Sequence, residues 1–272
     1  MPIQTMHPIE VFDQEQFHEV DRRVTGAAFD IHNEFGRFLD ERIYQELLAS
    51  RCLAMGFDVA QEFSVTASLD DFSKIYFVDQ MINRGVIVET KAAQSIAPTH
   101  RGQVLNYLFL TGLQHASLIN FRSERLEHEF VSTRLTQITR RQFDINLDQF
   151  CCQSAECSRL LDVLARLLNE WGAYLDPKLY RDALTHFLGG PEKVIQKVPI
   201  TGNGKVFGKQ EMRLLNAETA FAVSALTHDT RLVSSHERRL LEHTNLRAIH
   251  WINLNHSRIE VQTIQRSICS SS

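Results

Sequence analysis

The segment Asn33-Glu-Phe-Gly-Arg-Phe-Leu-Asp-Glu-Arg-Ile-Tyr44 recurs as Asn169-Glu-Trp-Gly-Ala-Tyr-Leu-Asp-Pro-Lys-Leu-Tyr180, 136 residues downstream. A chain that repeats at such a long period builds one unit twice, and each half then needs its own core. The match is collinear along the chain. Thr111-Gly-Leu113 with Leu118-Ile-Asn120 returns as Thr244-Asn-Leu246 with Trp251-Ile-Asn253, and Arg125-Leu-Glu127 returns as Arg258-Ile-Glu260. Gln61 to Val65 pairs with Gln196 to Ile200, and the helix around His100 pairs with the one around His236. The offset falls only from 136 to 133, which reads as a tandem duplication with a short deletion in the second copy. The boundary is expected near Asp148 to Ala155, giving domains over 1–150 and 155–272. A chain of 272 residues has room for two small domains.

Within the first half, apolar residues fall at helical spacing from Val20 to Ser50, with two helices meeting at Gly36. Strand-like runs follow over Phe57 to Ala67, Ile75 to Ile82 and Gly85 to Ala92, with Asn83-Arg-Gly85 as the turn between the last two. Pro98 opens a helix that runs through Leu110 and stops at Gly112, and Ser117 to Phe121 is a short buried strand. The order helix, helix, three strands, helix, strand, strand predicts an α/β layer in which helices pack on a mixed sheet. Gly189-Gly190 and Gly202-Asn-Gly204 read as strand connections.

The composition is that of a soluble globular protein: 43% apolar and 23% charged residues exclude a disordered or collagen-like chain. With a formal charge of -4, the whole-molecule field does not draw the chain to polyanions, so a nucleic-acid partner needs a local basic surface. Arg101, Arg134, Arg140 and Arg141 are the candidates for phosphate contacts, although solvated surface charges need no such role. The five cysteines read as reduced thiols, because Cys151, Cys152 and Cys157 lack zinc-finger spacing. Met1 to Asp13 carries acidic residues and no apolar run, so a secretory signal is not expected, and no stretch is long enough to span a bilayer. A cytoplasmic location without membrane contact is the expectation.

The residues able to do chemistry lie in the first half. If Ile75 to Ile82 and Val86 to Lys91 pair across their turn, Asp79 meets Glu89-Thr90-Lys91, bringing two carboxylates and an ammonium together. Strand alternation puts Glu89 and Lys91 on one face and Thr90 on the other. Such a cluster suits a hard divalent cation, which is typically held by one or two carboxylates plus a substrate phosphate. Lys91 is placed to orient or help deprotonate a water and to offset charge on a phosphate. Taken alone, E-x-K at a strand end also fits a surface ion pair. Glu41 precedes the sheet on a helix, and Gln103 and Tyr107 share one face of the later helix, one turn from His100. His128, in Glu127-His-Glu129, reads as part of a strand face and not as a ligand.

Gly36 through Leu48, Asp79 with Glu89-x-Lys91, and His100-x-x-Gln103-Val-Leu-Asn-Tyr107-Leu resemble the G-x-x-E-x-x-Y branch of the PD-(D/E)XK nuclease-like superfamily. The resemblance spans roughly Val20 to Val131. It implies a restriction-endonuclease-like core in which Asp79 and Glu89 bind Mg2+ or Mn2+, with the Thr90 carbonyl as a further ligand and Lys91 assisting the water. By the same resemblance Glu41 is an accessory acid, while Gln103 and Tyr107 match the Q-x-x-x-Y helix of RecB-like nucleases. Two departures stand out: Phe38 replaces the first glycine of the family motif, and Thr90 replaces the usual apolar residue within E-x-K.

At the corresponding positions of the second half, Pro177 aligns with Glu41, Arg213 with Asp79, and Arg239 and His243 with Gln103 and Tyr107, while Ala222 to Leu226 replaces the Glu89-x-Lys91 strand. This half reads as a degenerate partner in a single-chain pseudo-dimer. The expected function is metal-dependent hydrolysis of phosphodiester bonds, with DNA as partner. The alternatives are a noncatalytic nuclease-fold module that binds nucleic acid or protein, and an assembly scaffold that pairs with a protein partner or oligomerises further. Zinc-protease, P-loop and hydrolase-elbow motifs are missing from the sequence.

Overall fold

Asp13 starts the first helix, earlier than the apolar periodicity alone places it. Its carboxylate accepts the Gln16 N–H at 2.8 Å while the Gln16 side chain accepts the Asp13 N–H at 3.0 Å, a reciprocal cap. The computed structural model describes residues 3–152 and 154–266, and the chain divides into two units between Gln137 and Ile138.

In the first unit, α1 (Gln14–Phe35) and α2 (Glu41–Ala54) lie against a six-stranded sheet. Its strands are β1 (Ile3–Thr5), β2 (Val59–Leu69), β3 (Phe72–Ile82), β4 (Val86–Lys91), β5 (His115–Asn120) and β6 (Glu127–Ser132), neighbours in that order. Only β4 and β5 run parallel, and α3 (Pro98–Thr111) makes the crossover between them that a parallel pair requires. Val20, Val24 and Ile31 of α1 and Tyr44 and Leu48 of α2 pack with Val88, Ile119 and Phe121 into one apolar core on this face of the sheet. The α1–α2 corner turns at Gly36, whose φ of 72° favours glycine. Tyr44 locks it: the buried hydroxyl donates to the Gly36 carbonyl at 2.6 Å and accepts the Leu39 N–H at 3.2 Å. Tyr44→Phe strands both backbone groups, and a loss of about 1–3 kcal/mol is expected in denaturant unfolding. An unchanged midpoint would show the corner to be held by packing alone.

The division falls within the first turn of α4 (Gln137–Arg140), and the second unit continues with β7 (Asp144–Gln149), α5 (Ala155–Trp171), α6 (Pro177–Phe187) and the single turn α7 (Pro191–Val194). Then come β8 (Ile195–Gly202), β9 (Lys205–Leu214), β10 (Thr219–Ser224), α8 (Thr230–Glu242), β11 (Ala248–Asn255) and β12 (Arg258–Gln265). The sheet order is β7-β12-β11-β10-β9-β8, so β8 to β12 repeat the arrangement of β2 to β6, including one parallel pair, β10–β11, bridged by a helix. Side-chain bonding repeats as well. Tyr180 donates to the Gly172 carbonyl as Tyr44 does to Gly36. Asn253 clamps both backbone groups of Leu226 at 2.7 and 2.9 Å, as Asn120 clamps those of Ala93 at 3.0 and 2.8 Å. The architecture is therefore α/β, two mixed sheets flanked by helices.

Three sequence expectations shift here. The boundary near 148–155 falls at the end of β7, which pairs with β12 and so belongs to the second unit. Gly189 and Gly190 join α6 to α7 and connect no strands, whereas Gly202-Asn-Gly204 does form the β8–β9 hairpin. Arg140 is no surface charge: it is 1% exposed, and its guanidinium donates to the carbonyls of Trp171 at 3.0 Å and Ala173 at 3.1 Å. No helix of the described residues is long and apolar enough to cross a membrane.

Candidate active site

The β3–β4 pairing runs from Ile82↔Val86 to Gln80↔Val88 and ends there, while β4 continues beside β5 as far as Lys91. Asp79 and Glu89 are the first residues past the last pair, at the point where the two strands part. Backbone groups at such a fork lose their ladder partners, and side chains take over. The Asp79 carboxylate accepts the Thr90 N–H at 2.8 Å, and Glu41, the first residue of α2, accepts the Ala92 N–H at 3.0 Å. Lys91 Nζ lies 2.6 Å from Glu89 Oε1 and 3.8 Å from Glu41 Oε1. Four of the residues expected from the sequence thus converge.

Their electrostatics follow from burial. Glu89 is 0% exposed, and desolvation, reinforced by the nearby Asp79 charge, lifts its carboxyl to about 7 against the attraction of Lys91. Desolvation also raises Asp79, and the Thr90 N–H and Lys91 only partly oppose it. Burial alone would lower Lys91, but Glu89, by charge and hydrogen bond, together with Asp79 and Glu41, raises it above the usual lysine value. With these carboxylates around it Lys91 is placed as a proton donor.

On α3, Tyr107 is buried and bonds to the β3 backbone: its hydroxyl donates to the Phe77 carbonyl at 2.8 Å and accepts from Gln103 Nε2 at 2.8 Å. Burial and the Glu89 charge raise its phenol. Tyr107 is thus a strut that holds α3 over β3 next to the acids, with Gln103 exposed above it. His100 caps the helix, its Nδ1 accepting the Ala97 N–H at 3.1 Å. Arg101 is engaged by Glu129 through two 2.6 Å bonds, which ties up one candidate phosphate contact.

Two residues of the site belong to no motif in the sequence. Gln45 hydrogen-bonds the Asp79 carboxylate through its side chain, and its carbonyl accepts from Gln80 Nε2 at 2.6 Å. The signal for Gln45 is its position four residues after Glu41, on the same helix face. For Gln80 it is an amide within an otherwise apolar strand end.

The corresponding fork of the second unit is different. The register sets Arg213 opposite Phe221, as Gln80 is set opposite Val88, so Met212 and not Arg213 occupies the position of Asp79. Arg213 takes the place of Gln80 and points toward α6, donating to Thr185 Oγ1 at 3.2 Å. Ala222 pairs with Trp251 as Glu89 pairs with Leu118, and Ser224 falls at the Lys91 position. Thr244 bonds back to Leu241 as Thr111 does to Leu108, which puts His236 and Leu240, not Arg239 and His243, at the positions of Gln103 and Tyr107. Met212, Ala222 and Leu240 pack on the apolar cluster of this unit. Pro177 does stand at the first position of its helix, as Glu41 does. No acidic pair remains at this fork.

The strand fork thus carries D…E-x-K and is braced by the Q-x-x-x-Y helix. Residues 18–133 match the family model described as PD-(D/E)XK nuclease superfamily. The chain has no significant match among curated proteins or solved structures. Nucleases of that superfamily typically use divalent metals, and the donor set at this fork is compatible with one. Glu89 Oε2 is fully buried and has no hydrogen-bond partner, an arrangement costly for a carboxylate unless a cation faces it. Among the described residues no group of three or more His, Cys, Asp or Glu forms a ready-made metal cage.

Proposed function

We propose that the amino-terminal unit is a divalent-metal-dependent nuclease that hydrolyses phosphodiester bonds in DNA, and that the carboxy-terminal unit is its degenerate, noncatalytic copy. The observation that carries this reading is the meeting of Asp79, Glu89 and Lys91 at the β3–β4 fork, where Glu89 Oε2 is buried without a hydrogen-bond partner. Asp79, Glu89 and the Thr90 carbonyl would hold Mg2+ or Mn2+. Bound there, the ion supplies Lewis-acid polarisation of a phosphoryl oxygen and a water of lowered pKa.

The chain's own groups do the rest. Lys91, protonated and pinned between Glu89 and Glu41, donates to the attacking water or to a phosphate oxygen and offsets the charge that builds there. Glu41 fixes the start of α2 against the Ala92 N–H and keeps the ammonium in place. Gln45 orients Asp79, and Tyr107 holds α3 at the height where Gln103 meets the scissile strand. The second unit, with Met212 and Ala222 in place of the acids, serves to position the substrate or a partner.

The test is incubation of the full chain with supercoiled, linear and single-stranded DNA and with RNA, in Mg2+, in Mn2+ and in chelator. DNA cleavage that requires metal and is largely lost in Asp79→Ala is the expected result. Metal-independent binding without cleavage of any substrate would instead identify a noncatalytic nuclease-fold module.

A further inference from the structure

In the second unit, on the α5 side of the sheet and therefore facing away from Met212 and Ala222, a thiol and an imidazole meet. Cys157 Sγ lies 2.9 Å from His250 Nε2, and His250 Nδ1 lies 3.0 Å from Thr263 Oγ1. The Thr263 oxygen also accepts the Cys151 N–H at 2.8 Å and donates to the Cys151 carbonyl at 3.4 Å. One assignment satisfies every group. The thiol donates to Nε2, Nδ1–H donates to the threonine oxygen, and the threonine hydroxyl donates to the Cys151 carbonyl. Ser154 Oγ donates to the same sulfur at 3.3 Å.

These parts make up a nucleophile, a base and a group that orients the base. Burial lowers His250 to about 4, so its imidazole is neutral at pH 7 and accepts the thiol's hydrogen bond on Nε2, the proton crossing only as the sulfur attacks. Cys157 is in the first turn of α5, a helix of 17 residues, with the Ser154 hydroxyl in hydrogen-bond contact with its sulfur. A cavity of about 360 Å3 opens onto the pair, lined also by Asn216 and Glu218. Cys157 is only 3% exposed, so the cavity admits a small polar reactant and excludes a bulky one.

We propose that Cys157 and His250 form a second reactive site, a base-assisted thiol that is oxidised by peroxide. His250 takes the thiol proton on Nε2 and the sulfur attacks one peroxide oxygen. The S–O bond forms as the O–O bond breaks, and the departing hydroxide collects the proton from Nε2 and leaves as water. Sulfur loses two electrons, the peroxide gains them, and Cys157 becomes a sulfenic acid. At the corresponding location in the first unit Asp21, Ser117 and His128 form a polar cluster that contains no sulfur, so the chemistry belongs to the second unit alone.

The experiment treats the full chain with hydrogen peroxide, stops each time point with catalase in denaturant that contains dimedone, so that the trap reaches every sulfenic acid, and reads each cysteine by mass spectrometry. Cys52 is an internal reference, since it is equally buried, has its thiol pushed up to about 11 and lies in the first unit. Cys157 is expected to be trapped at least tenfold faster than Cys52. His250→Gln should slow Cys157 by about tenfold while Cys151 and Cys152 keep their rates. Thr263→Val, which releases the imidazole without removing it, should slow Cys157 several-fold and provides the test if His250→Gln does not fold. Trapping of Cys157 no faster than Cys52, or at the wild-type rate in the folded variants, overturns the proposal.

Discussion

Lys91→Ala and Asp79→Ala should each lower metal-dependent DNA cleavage by about 10³-fold, the scale of removing one charge-stabilising group from a preorganised site. The two variants fail for different reasons. Asp79→Ala removes an oxygen donor and frees the Thr90 N–H, so raising the metal concentration should restore part of the activity. Lys91→Ala leaves both carboxylates in place and removes the ammonium, so extra metal should restore nothing. Glu41→Gln, whose approach to Lys91 is the longer one at 3.8 Å, should cost less than either. Circular dichroism establishes that each variant is folded. Equal cleavage in wild type and both alanine variants removes these residues from the reaction.

Glu89→Gln should abolish cleavage and at the same time stabilise the protein at alkaline pH in chelator. The sign follows from proton linkage. The folded state keeps the Glu89 proton up to about 7 while the unfolded chain releases it near 4.5, so the folded form binds more protons throughout that window. Stability must then fall as pH rises from 4.5 to 7, by on the order of 3 kcal/mol from this group. Asp79, also raised, contributes in the same direction. A glutamine has no charge to desolvate. The thermal midpoints of wild type and Glu89→Gln should therefore coincide near pH 5 and separate by several degrees at pH 8, the variant being higher. Mg2+ at pH 8 should raise the wild-type midpoint alone, because a ligand stabilises only the state that binds it. A variant less stable than wild type at pH 8 without metal would mean that the attraction of Lys91 outweighs the buried charge. The site would then be a structural ion pair.

Much of this site is legible in the sequence because its residues carry their spacing with them. The Asn83-Arg-Gly85 turn dictates that the strands flanking it pair, and pairing brings Asp79 to Glu89 whatever else the fold does. Glu41 is legible through its place at the start of a helix, and Tyr107 through its distance from Gln103. What sequence spacing does not carry is register in a region of drifting offset. Counting residues aligns Arg213 with Asp79, yet only the β9–β10 ladder shows that Met212 takes that position. The same slip assigns to Arg239 and His243 the positions that belong to His236 and Leu240. Side chains that act through tertiary structure are equally hidden. Gln45 reaches Asp79 from another element, and Arg140 is buried by carbonyls more than thirty residues away. The start of α1 escapes the pattern for a local reason: its first turn is polar and is set by the Asp13–Gln16 cap, which hydrophobic periodicity does not register.

Calorimetric titration of Mg2+ into the full chain at pH 8, alongside an Asp79→Asn, Glu89→Gln double variant, reads metal uptake at the fork itself. One metal site is expected in the wild-type protein and none in the double variant, since the fork of the second unit carries no acidic pair. Wild-type protein that takes up no Mg2+ or Mn2+, or a double variant that binds as the wild type does, would contradict it.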